Sequence, residues 1–340
     1  MKALQISAPG EVKVIDLPMP SVGNQEVLLK MRYVGFCGSD LNTFRGMNAM
    51  AKPFVIPGHE VSATVVSTGA EVPDFIKQGM SVTVNPYTSC GICPSCRNRR
   101  PNACRDNQTL GVQRDGAMRE YMVLPWTKII PAEGLTLEEM ALIEPMSVGF
   151  HAVGRAEVTD NDTVMVIGCG MVGMGAVVRA AQRGAIVIAA DVDDDKLALA
   201  KQMGAAYAVN TLSPDYHESL MSFTGGNGPD VVIEAVGSPV TYRLAVDEVA
   251  FTGRVICIGY SKAEVSFATR LFVQKELDIR GSRNALPADF EAVIRFLKAN
   301  PGKVDGMISR IVTFDTAQDA LEAWNAAPGK VFRILLKIDE

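Results

Sequence analysis

Ten residues, Val164-Met-Val-Ile-Gly168-Cys-Gly170-Met-Val-Gly173, constrain the fold of this chain more than any other stretch. An apolar β-type run enters a glycine turn and then small residues at helical spacing, which predicts a strand over 163–167 and a helix over 174–183. Gly168 permits the tight turn, Gly170 lets a backbone approach a pyrophosphate, and Gly173 lets helix and strand close on each other. The backbone amides of Met171 and Val172 lie where a helix start attracts negative charge. The next apolar run ends about twenty residues on at Asp191, whose carboxylate would accept hydrogen bonds from a ribose and repel a 2′-phosphate. Val192 offers that phosphate no cation and Lys196 is close enough to help hold the ribose, so NAD is expected rather than NADP. A turn that merely packs a helix is the simpler alternative, and the register of strand, glycines and acid argues against it.

Buried-type Val/Ile/Ala runs at 163–167, 186–190, 205–209, 230–234, 254–258 and 277–280 alternate with helix-length segments. That is the signature of parallel βαβ units covered on both faces, a doubly wound sheet. Before it, short alternating runs at 27–34, 61–67, 81–84 and 120–124 are broken by Gly, Pro and Asn and read as all-β. After Gly281 helices near 288–299 and 317–326 and strands near 308–314 and 331–338 are expected to rejoin the first domain. At 340 residues the chain exceeds the roughly 250–300 at which single cores stop growing. The expected fold class is therefore α/β with a β-rich domain: a first domain over 1–147, a Rossmann domain over 148–282 and a return over 283–340.

A net charge of −5 gives no attraction for phosphate backbones or anionic lipid, which leaves small molecules as the expected ligands rather than nucleic acid or membrane. The apolar runs are far shorter than the roughly 20 residues a bilayer requires. Met1-Lys-Ala-Leu-Gln-Ile-Ser reads as an edge strand without the features of a secretory signal, so a cytoplasmic location is expected.

Seven cysteines in such a setting argue for thiolate ligands over disulfides. Cys90-Gly-Ile-Cys93-Pro-Ser-Cys96 followed by Cys104 suits a closed tetrahedral zinc site, structural because no coordination position is left for water. Iron–sulfur binding competes, but the last spacing differs from the common ferredoxin runs.

Three further polar places stand out: Cys37 in Gly35-Phe-Cys37-Gly-Ser39-Asp40, the pair His59-Glu60 after Pro57-Gly58, and Glu144-Pro145. Thiolate, imidazole and carboxylate can form a three-ligand zinc site with an open position that polarises an oxygen. Taken singly, each has a plainer reading: a buried small hydrophobe, a turn residue, a helix-terminal acid. Together with the cysteine lobe and the glycine turn, in this order along essentially the whole chain, they resemble the zinc-containing medium-chain dehydrogenases. The closer similarity is to the polyol branch with its sorbitol, threonine and sugar-acid dehydrogenases.

The resemblance implies a GroES-like catalytic domain beside the Rossmann domain, with catalytic and structural zinc, NAD, and a homodimer or homotetramer. Carried over, Cys37 and His59 are ligands of the catalytic zinc, and Glu60 and Glu144 compete for the remaining protein position. Asp40 would orient His59, and Ser39 would hydrogen-bond the substrate hydroxyl and pass on its proton. Val236, Ile258 and Gly259 fall in the loops after strands four and five that line the nicotinamide side, and Arg283 near the cleft would meet a carboxylate or hydroxyls of the substrate. Many relatives have a histidine three residues after the Ser, where this chain has Asn42, which cannot relay a proton near neutral pH. His151 reads as more structural than functional, and His217 carries no functional claim.

The implied reaction is oxidation of a secondary alcohol of a polyol, sugar or sugar acid, an aldonate such as galactonate among them, to a ketone. Alternatives are a threonine-type amino-alcohol dehydrogenase and a non-enzymatic NAD-binding sensor, the latter having no use for an open metal site. A zinc-free enoyl reductase would lack the cysteine lobe, and none of the seven tyrosines has a lysine four residues on, as a short-chain dehydrogenase requires.

Overall fold

The computed structural model describes residues 1–338. Strands β1 (Lys2–Ala8) and β2 (Glu11–Asp16) form an antiparallel ribbon, followed by β3 (Glu26–Phe36), β4 (Glu60–Thr68) and β5 (Ser81–Val84). Short β6 (Tyr87–Thr88) and β7 (Gln108–Thr109) pair across the cysteine-bearing segment, and β8 (Tyr121–Pro125) and β9 (Ile129–Pro131) come next. Strands β10 (Thr163–Ile167), β11 (Ile186–Asp191), β12 (Tyr207–Asn210), β13 (Val231–Glu234), β14 (Arg254–Cys257) and β15 (Asp278–Gly281) alternate with helices or connecting segments, and β16 (Arg310–Val312) and β17 (Ile334–Lys337) end the chain.

Two compact units result, Met1–Glu144 with Val293–Glu340, and Pro145–Ala292. Their junctions fall inside continuous helices, Ile143–Arg155 and Pro287–Ala299.

In the second unit the strand order is β12-β11-β10-β13-β14-β15, all parallel, which is the doubly wound Rossmann arrangement. Neighbours along β10, Val164 to Ile167, are each at most 2% exposed, so both sheet faces are covered and the strand reads as a continuous apolar run. The helix Met171–Gln182 starts directly on Gly170, earlier than the expected 174, because the turn uses only residues 168–170.

The first unit is built on a seven-stranded sheet ordered β16-β17-β3-β4-β5-β9, with β8 also pairing β3. Alternate residues of β3, Val27, Leu29 and Met31, are fully buried, and they share a core with Phe36, Phe44, Val61, Val82, Leu321 and Leu336. Each large side chain buried there contributes about 1.5–3 kcal/mol. The tail returns to this sheet: β17 lies antiparallel to β3, with Ile334 opposite Phe36. Among the described residues no helix is long and apolar enough to cross a membrane.

Candidate active site

Where β3 ends, Cys37 caps the helix Gly38–Phe44. On the neighbouring strand Glu60 pairs with Gly35, and a Cβ on Gly35 would come within 2.1 Å of Glu60 Oε2, so only glycine leaves that carboxylate its place. His59 follows Gly58, whose φ of 103° and tight contacts with Val34 and Met118 again require glycine. In consequence one ligand atom each of Cys37, His59 and Glu60 lies within 4.8 Å of the others. The buried Nδ1 of His59 and both carboxylate oxygens of Glu60 have no hydrogen-bond partner among the described residues. Leaving such groups unmet costs about 1–3 kcal/mol each, and a single divalent ion would meet them together. A mixed sulfur, nitrogen and oxygen set suits zinc.

Glu144, in the first turn of its helix and 4% exposed, lies outside that set. Its Oε1 accepts a hydrogen bond from the buried hydroxyl of Tyr87. Burial pushes the Glu144 carboxyl up to about 7, with His59 opposing and Glu60 reinforcing. Burial also raises Tyr87 well above the usual tyrosine range, and Glu144 adds to it. For His59 burial disfavours the charged ring, yet Cys37, Glu144 and Asp40 together lift its pKa well above the ordinary value.

Behind Glu60 stands Arg333, just ahead of β17 and 4% exposed. Its Nη1 lies 3.1 Å from Glu60 Oε1, an ion pair without hydrogen-bond alignment, and donates to the carbonyl of Phe36. Neither Tyr87 nor Arg333 figured among the sequence candidates. A cation beside the apolar run of the last strand was the available signal for Arg333; for Tyr87 there was none beyond its place between a strand and Cys90.

Asp40 departs from expectation. It makes no hydrogen bond to His59; its Oδ2 accepts from the Cys37 amide at 2.8 Å, and its Oδ1 and the His59 Nδ1 are both left without partners. Position N3 of a short helix favours this return to the cap backbone. Burial pushes the Asp40 carboxyl up to about 6, opposed by His59. Ser39 Oγ is buried and has no partner among the described residues.

The four lobe cysteines are free thiols, with Sγ separations of 3.5 Å for Cys93–Cys96, 3.8 Å for Cys93–Cys104 and 3.5 Å for Cys90–Cys104. A zinc ion at about 2.3 Å from each sulfur sets tetrahedral edges of about 3.8 Å, so the lobe fits this ion as it stands. Cys93 caps the short helix Pro94–Arg97 that carries Cys96, and the turn Pro101–Ala103 delivers Cys104.

In the second unit Gly168 has φ 91°, and a Cβ on Gly173 would sit 1.8 Å from the Gly168 carbonyl oxygen, whereas one on Gly170 would meet open space. Asp191 ends β11 as expected, but it also buckles the turn: Oδ2 accepts from the Cys169 amide at 2.6 Å, and Oδ1 from the amides of Val192 at 2.8 Å and Asp193 at 3.0 Å. Lys196 lies in the following helix, Asp194–Met203. Val236 is exposed, and Ile258 donates its amide to Glu234 before Gly259 closes on Gly237. Half-buried Arg283 follows β15, beside Asn284 with φ 53°. His151 Nδ1 meets Asp289 Oδ2 at 2.9 Å, and His217 Nδ1 meets Glu248 at 2.9 Å; each imidazole thus has a local carboxylate.

A dinucleotide turn in one unit and a sulfur, nitrogen and oxygen ligand set in the other define, as a class, a metal-dependent nicotinamide oxidoreductase. Residues 23–134 match the family described as alcohol dehydrogenase GroES-like domain, and residues 172–299 the family described as zinc-binding dehydrogenase. The chain is 32% identical over 327 residues to L-galactonate-5-dehydrogenase of Escherichia coli K12, covering 95% of this chain and 94% of that protein. It is 33% identical over 334 residues to sorbitol dehydrogenase of Bacillus subtilis 168, covering 95% and 93%. The RspB alcohol dehydrogenase of Escherichia coli CFT073, solved with NADH, superposes with a TM-score of 0.90 at 30% identity, over 99% of each chain. This chain belongs to the zinc-dependent medium-chain dehydrogenases, in their polyol branch, and is an oxidoreductase that uses zinc and NAD.

Proposed function

We propose that the chain oxidises a secondary alcohol of a polyol acid to a ketone, at a catalytic zinc held by Cys37, His59 and Glu60. The convergence of those three side chains within 4.8 Å carries the reading, because Glu144 is engaged by Tyr87 instead. Zinc there supplies a Lewis acid for the hydroxyl oxygen, and NAD supplies the hydride acceptor.

The chain's own groups do the rest. Ser39 Oγ, buried and unpartnered, would accept the hydrogen bond of the substrate hydroxyl and pass its proton on to water or a ribose hydroxyl, since Asn42 cannot relay it. Arg333 balances the charge of Glu60, and Asp40 fixes the Cys37 backbone. Glu144, held by the Tyr87 hydroxyl and outside the ligand set, is the carboxylate that would exchange water or a substrate hydroxyl. The four lobe cysteines hold the structural zinc, and Asp191, Lys196 and the turn residues 168–173 hold the adenosine end of NAD.

A specific observation favours an acid over a neutral polyol. The Nε of half-buried Arg114 is buried without a partner among the described residues, and burial, with no carboxylate against it, lowers its pKa. Lys128, half-buried and depressed by burial and by Arg114, donates to the carbonyl of Tyr87, on the segment that reaches Glu144. Arg114, with its unpartnered Nε, is the cation that we propose a substrate carboxylate would meet. A screen of aldonates, polyols and L-threonine with NAD, read as NADH absorbance, is expected to show turnover with the lowest KM on aldonates. Silence on every substrate with zinc present would sink the reading, and a preference for L-threonine would move it to the amino-alcohol class.

The cofactor choice is separately testable. Replacing Asp191 with alanine removes a charge-assisted acceptor and is expected to raise KM for NAD about tenfold to a hundredfold while narrowing the preference over NADP. Unchanged selectivity between NAD and NADP would show that another group reads the ribose.

A further inference from the structure

Glu234 ends β13 after the apolar Val231-Val-Ile and is completely buried, an expensive place for a carboxylate unless it is well met. Among the described residues no cation pairs with it. Its Oε1 instead collects three donors: the amides of Val236 at 2.9 Å and Gly237 at 2.7 Å, and Thr241 Oγ1 at 2.8 Å. The last lies in the first turn of the helix Pro239–Glu248, whose start favours a negative charge. Oε2 has no partner among the described residues, a cost that an apolar strand end would avoid.

What the carboxylate gathers is the meeting point of three strand ends. A Cβ on Gly168, after β10, would strike Val236 Cγ2 at 2.5 Å, and one on Gly259, after β14, would strike the Gly237 amide at 2.2 Å. The Tyr242 hydroxyl donates to the Gly259 carbonyl at 2.6 Å. The loop 235–238 is thus wedged between the dinucleotide turn and the Ile258 segment, and Glu234 fixes it from below. In this strand order the β10–β11 side, with Asp191, takes the adenosine half, and the β13–β14 side takes the other mononucleotide.

We propose that Glu234 is a positioning residue for the nicotinamide half of the cofactor, setting the loop 235–238 through its three-donor carboxylate; this rests on the NAD reading of the second unit. The test uses the holoenzyme and compares binding of NADH, by fluorescence titration, with binding of ADP-ribose, which lacks nicotinamide. Glu234→Leu is expected to weaken NADH about tenfold and ADP-ribose by no more than about twofold. Glu234→Gln keeps an oxygen for the same donors and should restore most of the NADH affinity. Should the Leu variant fail to fold, Thr241→Val, which removes one of the donors, is expected to show the same selective loss at about threefold. Equal weakening of both ligands, or NADH binding unchanged in both variants, overturns the proposal. Wild-type protein that binds ADP-ribose but not NADH also overturns it, whereas binding neither would instead bring down the NAD reading and the proposal with it.

Discussion

Replacing His59 with alanine is expected to lower kcat/KM for the best alcohol substrate by about three orders of magnitude or more. Loss of Lewis-acid stabilisation removes several kcal/mol from the barrier reduction, and each 1.4 kcal/mol or so is a factor of ten. Affinity for NADH should stay within about twofold, since the second unit is untouched. Metal analysis should fall from about two ions per subunit to about one, because three ligands reduced to two no longer hold the ion. The same assay separates the two acids. Glu60→Ala should lose the ion as His59→Ala does; Glu144→Ala should retain it and lose activity alone. If Glu144→Ala loses the ion and Glu60→Ala keeps it, the ligand set proposed here is wrong.

Much of this arrangement was legible in residues close together in sequence, and little of it in residues brought together by sheet register. The glycine turn, Asp191 and the cysteine lobe declare themselves because each is a local unit whose spacing dictates its geometry. Cys37, His59 and Glu60 converge because β3 and β4 are antiparallel with Gly35 opposite Glu60, a register that no local pattern states; the family resemblance pointed to Cys37 and His59 and left Glu60 and Glu144 unranked. Asp40 was read as a partner of His59 and proved to be a partner of the Cys37 amide, since a short helix start satisfies its own backbone first. The resemblance pointed to the loop after Glu234 as lining the nicotinamide side, but nothing in the neighbouring residues reports that this loop folds back over the carboxylate.

The second large effect concerns stability rather than chemistry. Cys96→Ser should release the ion of the cysteine lobe and lower the thermal midpoint by roughly 10 °C, or send the protein to the insoluble fraction, because the folding energy of such a lobe is largely the metal's binding energy. The segment between β6 and β7 has only those two-residue strands and two short helical turns to hold it otherwise. His59→Ala, by contrast, should melt close to the wild type. A Cys96→Ser protein that keeps two ions and its melting point would show that the lobe needs no metal.

Arg333 reaches Glu60 from just in front of the last strand, and that strand pairs with the one leading to Cys37. The charge of Glu60 is therefore balanced by a residue far along the chain from it. Until β17 has paired with β3 and brought Arg333 in, Glu60 lacks that counter-charge, so the ligand set cannot be balanced before that long-range pairing has formed.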